Sequence, residues 1–166
     1  MEVVVYLNGA LIPLTQARIS PMDYGFLHGY GLFETMRAYS GRVFRLEKHL
    51  ARLERSARAL NIDLDEPAKL ETAIYETLRA NHLPDARIRI SVSPGEEELA
   101  PDVPAKGQPT VFITARSYAP PSEQVYRRGM TATISTVRRS PRSPVSALKS
   151  LSALDLLVAR QRAAFD

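Results

Sequence analysis

Lys149 lies at a position where its side-chain amine could be reactive. It follows the turn-rich, basic loop 138–144 and residues 145–148, and it precedes a helical pattern over residues 151–165. A lysine at such a junction can be partly buried, which favours the neutral amine, a nucleophile able to form a Schiff base with a carbonyl. A solvated lysine is the more frequent outcome at such positions, so local sequence alone leaves both interpretations open.

Arg52 is the second candidate for chemistry. It lies within a segment whose apolar residues recur every three or four positions, about 120° from the centre of the apolar stripe on a helix. An arginine there can lean across the helix and present its fork of donors to a phosphate group. A solvated arginine is again the alternative.

Several other chemistries find no support in the sequence. The chain has no cysteine, which excludes disulfides, thiolate zinc sites and cysteine nucleophiles. His28, His49 and His82 lack the spacing of a metal-ligand pair, so we expect no metal site. Neither G-x-S-x-G nor a glycine-rich phosphate loop of the Walker or G-x-G-x-x-G type is present.

The charge is concentrated near the C-terminus of the sequence. The 166 residues carry a net charge of +4, and residues 125–166 hold eight Lys and Arg against two Asp and Glu. This segment predicts either a phosphate-bearing partner or an ordinary solvated surface. Basic residues do not alternate with aromatic residues as in single-strand binders, so we expect no nucleic acid partner. Without a long apolar run or a leader pattern, we also expect a cytoplasmic protein with no membrane partner.

The elements that must position these residues follow from periodicity and turn signals. Two hairpins are predicted, one around Asn8-Gly9 and one around Ser40-Gly41, with an irregular glycine-rich loop over residues 21–31 between them. Amphipathic helices are predicted from Leu46 to Leu60 and from Pro67 through Leu78. Further strands are predicted over 87–92, 110–114 and 130–137, with an exposed acidic loop over 94–109.

Two long segments resemble one known family. The first runs from Asp23-Tyr-Gly through His28-Gly-Tyr-Gly-Leu-Phe-Glu-Thr to His49-Leu-Ala-Arg-Leu, and the second is Arg138-Arg-Ser-Pro-Arg-Ser-Pro-Val-Ser-Ala-Leu-Lys149-Ser-Leu. Both are similar to segments of class IV aminotransferases, the fold-type IV enzymes that use pyridoxal 5′-phosphate (PLP). The resemblance implies an α+β, two-domain fold. We expect an N-terminal domain over 1–118, a linker over 119–124, and the beginning of the C-terminal domain over 125–166.

The resemblance also implies roles for individual residues. Lys149 would form the Schiff base with PLP, and Arg52 would bind the cofactor phosphate. Phe33 corresponds to a position lining the substrate pocket, Arg89 to one near the bound substrate, and Tyr30 is a further substrate-site candidate in the glycine loop.

The implied activity is transfer of an amino group between an amino acid, with the branched-chain type favoured, and a 2-oxo acid. Aminodeoxychorismate lyase, which releases pyruvate to form p-aminobenzoate, is the alternative within the family, and an inactive truncated fragment is a further one. The resemblance also implies a homodimer.

Overall fold

The computed structural model describes residues 2–96, 108–138 and 140–163. Six strands form one antiparallel sheet: β1 (Val4–Leu7), β2 (Ala10–Pro13), β3 (Leu32–Tyr39), β4 (Arg42–Val43), β5 (Ala86–Ser93) and β6 (Thr110–Ser117). Their order across the sheet is β2-β1-β6-β5-β3-β4. The predicted α+β architecture is confirmed, because helices pack on one face of this sheet.

The two predicted hairpins are present. Both residues of each turn pair, Asn8-Gly9 and Ser40-Gly41, have positive φ angles, as a two-residue turn matching the strand twist requires. In the second hairpin β4 is short and ends at Val43. Arg45 then adopts a φ of 51° and turns the chain into the following helix.

The helices are α1 (Tyr24–His28), α2 (Leu46–Ala59), α3 (Pro67–Ala80), α4 (Glu123–Arg128) and α5 (Leu154–Ala163). The predicted apolar stripe of α2 is confirmed, since Leu46, Leu50, Leu53 and Ala57 are buried. Pro67 occupies the first turn of α3, where its missing N–H costs no helical hydrogen bond. Both helices cover the face of the sheet that carries Met36, Ile88, Ile90 and Ile113, and together they enclose the core.

Two sequence predictions are wrong. The glycine pattern predicts an irregular loop over residues 21–31, but α1 forms there because the Asp23 side chain accepts a hydrogen bond from the Gly25 N–H and caps the helix. The alternation over residues 130–137 predicts a strand with one buried face, yet these residues form none, and Ile134 is 97% exposed. An alternating pattern becomes a strand only beside a second strand, and no described residue supplies one.

The remaining predictions concern the C-terminal quarter of the chain. The predicted C-terminal helix is present as α5, whose residues Leu154, Leu156 and Leu157 are exposed. Residues 97–107 of the predicted acidic loop lie outside the described residues. The domain and linker boundaries stay predictions. No helix among the described residues is long and apolar enough to span a membrane.

Candidate active site around Lys149

The segment that carries Lys149 lies against the beginning of β3. The Phe33 N–H donates to the Lys149 carbonyl at 2.9 Å, and Ser150 forms an antiparallel bridge with Leu32. The Leu151 N–H donates to the Gly31 carbonyl at 2.8 Å. These backbone bonds join residues more than a hundred positions apart, and they fix Lys149 next to the sheet.

Phe33 brings together three of the five predicted site residues. The Lys149 Nζ lies 4.9 Å from the centre of the Phe33 ring, and the Arg89 guanidinium carbon lies 3.9 Å from it. The ring therefore attracts two cations at once. Within the part of the chain that the structure describes, neither cation has an ion-pair partner. The cluster can therefore receive an anionic ligand beside a primary amine.

Arg89 is oriented by a second contact. Its Nε donates to the Ser91 hydroxyl at 3.1 Å, on the same face of β5. Burial lowers the pKa of Arg89, and the neighbouring charge of Arg87 lowers it further. The guanidinium is thus a partly desolvated cation, for which a carboxylate is the natural partner.

Arg52 is fixed on the other face of β3 by Glu34. Its Nε and Nη2 donate to the two oxygens of the Glu34 carboxylate at 2.5 and 2.7 Å, a bidentate geometry. The His49 Nδ1 lies 2.8 Å from the second oxygen. The Glu34 side chain is 1% exposed and that of Arg52 is 47% exposed, so the buried carboxylate holds an arginine whose outer part reaches solvent.

The electrostatics of the Glu34–Arg52 pair favour the charged forms. Burial by itself would raise the pKa of Glu34, but the hydrogen bonds from Arg52 and His49 outweigh it, and the pKa is lowered from its ordinary value. The bond to Glu34 raises the pKa of Arg52. Arg52 is therefore a permanent cation whose Nη1 forms no hydrogen bond within the described residues, and it is available to a ligand.

Arg52 and Lys149 approach β3 from opposite faces. Phe33 and Glu34 are consecutive residues, and successive side chains of a strand point to opposite sides of the sheet. The structure thus places the amine and the guanidinium at the same short stretch of β3 without direct contact between them.

The Tyr30 side chain forms a hydrogen bond with the C-terminal end of α2. Its hydroxyl donates to the Leu60 carbonyl at 2.7 Å, at the C-terminal end of α2. The bond joins the glycine-rich loop to the helix that carries Arg52. Its predicted role near a substrate stays a prediction.

The glycine-rich loop is held by a buried carboxylate. Asp23 is 2% exposed; one oxygen accepts the Gly25 N–H, and the other accepts the Ser93 and Thr110 hydroxyls at 2.7 and 2.6 Å. The same loop packs closely against Leu151. The approach at Gly31 is so close that a Cβ atom added there would lie 2.7 Å from Leu151 Cδ1. Asp23 thereby supports the surface on which the segment following Lys149 rests.

An apolar cavity of about 370 Å³ adjoins the cluster. Ser91, which accepts the bond from Arg89, lies in its wall, as do Phe112 and Leu151. The cavity therefore borders Ser91, the hydrogen-bond partner of Arg89, and Leu151, which lies two residues after Lys149.

Sequence reasoning missed Glu34, His49 and Asp23 as contributors to the site. A signal for Glu34 was present, because it occupies an inward position between Leu32 and Met36 on an alternating strand. A carboxylate buried there requires charged or hydrogen-bonding partners. His49 and Arg52, three residues apart on one side of α2, provide them.

The sequence is similar to known proteins over nearly its whole length. The sequence model of the amino-transferase class IV family matches residues 31–165. A putative branched-chain-amino-acid aminotransferase of Methanocaldococcus jannaschii is 38% identical over 161 residues, which cover 96% of this chain and 55% of that protein. The aminodeoxychorismate lyase of Bacillus subtilis is 30% identical over 160 residues, covering 95% of this chain and 54% of the lyase.

Solved structures agree with the sequence comparison. The branched-chain aminotransferase of the thermophilic archaeon Thermoproteus uzoniensis, solved with norvaline, superposes with a TM-score of 0.83 and 27% identity, covering 99% of this chain and 57% of that structure. The fold is thus that of a class IV aminotransferase, and the predicted resemblance is confirmed. The chain belongs to the class IV aminotransferase family, and it spans about half the length of the curated relatives it matches.

Proposed function

We propose that this chain supplies the cofactor-bonding lysine and the phosphate-binding arginine of a PLP-dependent class IV aminotransferase. The observation that carries the proposal is the Phe33 cluster, where an amine without an ion-pair partner among the described residues lies beside a partly buried guanidinium. The resemblance of residues 138–151 to the family's segment supports Lys149 as the residue that would bond to PLP.

The residues present fit such a cofactor. PLP carries an aldehyde and a phosphate, and it requires one amine and at least one donor group for the phosphate. The Lys149 Nζ contacts the Phe33 ring but no carboxylate of the described residues. Glu34 fixes the orientation of Arg52, whose Nη1 forms no hydrogen bond within that same part of the chain. PLP supplies the electron sink that stabilises negative charge at the substrate Cα.

The side chains of this chain then have distinct tasks. Lys149 would hold the cofactor, and its Nζ would take the proton from the substrate Cα as general base. Arg52 binds the phosphate through a fixed guanidinium. Arg89 attracts a substrate carboxylate, and the Phe33 ring keeps Arg89 and Lys149 on one side of the sheet.

The favoured substrates are a branched-chain amino acid and a 2-oxo acid, and the relative of higher identity named above supports this choice. Aminodeoxychorismate lyase activity remains the second candidate, because the Bacillus subtilis lyase is similar over nearly the whole chain. Release of p-aminobenzoate from aminodeoxychorismate, measured against amino transfer from a branched-chain amino acid to 2-oxoglutarate, separates the two. A homodimer and an inactive fragment both stay predictions.

The proposal is tested by trapping the amine. The chain is mixed with PLP, reduced with borohydride and mapped by mass spectrometry. We expect a pyridoxyl adduct on Lys149 that the Lys149→Ala variant lacks and that Lys69→Ala, which removes an exposed lysine paired with Asp65, retains. Labelling spread evenly over the lysines would contradict the proposal.

The role of Arg52 needs a second comparison. Arg52→Gln should slow labelling by PLP about tenfold, the value of one charge-assisted hydrogen bond, and leave labelling by pyridoxal, which has no phosphate, unchanged. Arg55→Gln on the same helix is the control with the same change in charge. Equal effects on PLP and pyridoxal would refute phosphate binding by Arg52.

A further inference from the structure

The backbone of the glycine-rich loop holds the segment that follows Lys149. The Gly31 carbonyl accepts a hydrogen bond from the Leu151 N–H at 2.8 Å. At Gly29 the two segments approach so closely that an added Cβ atom would lie 3.3 Å from Ser152 Cα. The end of this loop is therefore fixed against the part of the chain that carries the proposed reactive amine.

The side chain of the same loop reaches α2. Tyr30 supplies the only side chain of the sequence Gly29-Tyr30-Gly31, and its hydroxyl donates to the Leu60 carbonyl at 2.7 Å. Leu60 ends α2, where the last carbonyls of a helix have no partner within it. It lies just over two helical turns after Arg52, which is about 12 Å along the helix axis.

The bond from Tyr30 gives α2 a second directional anchor. The first anchor is the bidentate contact between Arg52 and Glu34 on β3. Apolar packing holds a helix on a sheet, but it is non-directional, so one directional anchor leaves the helix free to pivot slightly about that point. A second anchor about 12 Å away fixes its tilt as well. Both anchors belong to one short stretch of chain, from Tyr30 to Glu34.

We propose that Tyr30 is a positioning residue, which holds α2, and with it the Arg52 guanidinium, at the place where the cofactor phosphate binds. The inference rests on the proposed roles of Lys149 and Arg52. The aldehyde and the phosphate of PLP are attached to one rigid ring, so the amine and the guanidinium must lie at one defined separation to engage both groups. The loop sets that separation, because Gly31 bonds to the Lys149 segment and Tyr30 bonds to α2.

The rate of Lys149 labelling measures this role. The full chain is treated with PLP or with pyridoxal and reduced with borohydride, and adducts are quantified by mass spectrometry. Tyr30→Phe removes only the hydroxyl. We expect it to lower the PLP rate about threefold, the value of one neutral hydrogen bond at a residue that is 38% exposed, and to leave the pyridoxal rate unchanged. Tyr126→Phe, which removes the same atom from an exposed tyrosine of α4, is the matched control and should change neither rate.

A double variant separates the positioning of Arg52 from a general structural effect. Because Tyr30 acts through Arg52, adding Tyr30→Phe to Arg52→Gln should lower the PLP rate no further. Additive losses would overturn the proposal, as would equal slowing with PLP and pyridoxal. If Arg52→Gln lowers the PLP rate and Tyr30→Phe does not, this inference fails while the proposed function stands. If Arg52→Gln also leaves the PLP rate unchanged, phosphate binding by Arg52 fails and this inference fails with it.

A measurement without cofactor tests the geometry itself. The Arg52 Nε–H donates to Glu34, and the Arg89 Nε–H donates to Ser91, so both bonds slow the exchange of these protons with water. By NMR on the chain without PLP, Tyr30→Phe should speed exchange of the Arg52 Nε proton about threefold and leave that of Arg89 unchanged. Unaltered exchange at Arg52, or equal acceleration at both arginines, would overturn the proposal.

Discussion

Replacing Glu34 by Gln tests how the site is assembled. The carboxylate is buried and accepts two hydrogen bonds from Arg52 and one from His49. Removing one member of a buried ion pair costs about 3–5 kcal/mol when the other charge stays buried. The Arg52 side chain is 47% exposed, so water recovers part of that loss. We expect Glu34→Gln to lower the free energy of unfolding by about 2 kcal/mol at neutral pH.

The effect should depend on pH with a definite sign. The pKa of Glu34 in the folded chain lies below its ordinary value of 4.5, because the bonds from Arg52 and His49 outweigh burial. A lowered pKa means that the carboxylate stabilises the fold above the ordinary value, and that this contribution is lost as the pH falls through the lowered one. The difference between wild type and variant should therefore be largest near neutrality and shrink below pH 4.5.

Urea denaturation at pH 7 and at several acidic pH values measures both quantities. Glu54→Gln is the matched control, because it removes a carboxylate that pairs with Arg58 on the exposed side of α2. Exposed pairs contribute little, so the control should change stability by less than about 0.5 kcal/mol. A Glu34→Gln cost no larger than that of the control, or one that does not shrink in acid, would refute the account of the triad.

Three further substitutions test the close contacts and buried hydrogen bonds described above. Gly31→Ala should lower the free energy of unfolding by about 1–3 kcal/mol in urea titrations, because the new Cβ would lie 2.4 Å from the Val92 carbonyl oxygen; an unchanged midpoint would contradict this. Asp23→Ala should lower the free energy of unfolding by about 2 kcal/mol, since the Ser93 and Thr110 hydroxyls lose their acceptor. Hydrogen-exchange measurements should show faster exchange of the Leu151 amide. Unaltered exchange there would show that the loop does not support the Lys149 segment. Asn81→Ala should lower the free energy of unfolding by about 2 kcal/mol, measured by circular dichroism melting, because the Asn81 amide forms hydrogen bonds with both the N–H and the carbonyl of Val4. A change near zero would mean that water replaces these bonds.

Much of the scaffold was predictable from local patterns. The spacing of Leu46, Leu50 and Leu53 predicts α2 because side chains three and four apart share one face of a helix. Asn8-Gly9 predicts a hairpin because both residues tolerate positive φ. The same logic failed over residues 130–137, where the pattern specifies only that one face could be buried and not which strand would cover it.

The site was predictable only in part. Lys149 was a candidate from its local sequence, and Phe33 and Arg89 entered through resemblance to a family. The structure brings the three together around one aromatic ring. Their predicted roles in binding PLP and substrate remain proposals. Glu34 was visible in the sequence as an inward carboxylate, but its partners depend on how α2 lies across β3.

By itself, the sequence determined the helices α2, α3 and α5, the hairpins and the family, because these depend on residues close together in the chain or on recognisable local motifs. Only the tertiary structure decided which distant residues meet. It set Lys149 beside Phe33 through backbone bonds to β3, and it aligned Arg37, Arg87 and Arg116 through strand register. Register decides such contacts because shifting a strand by one residue moves every side chain to the other face of the sheet.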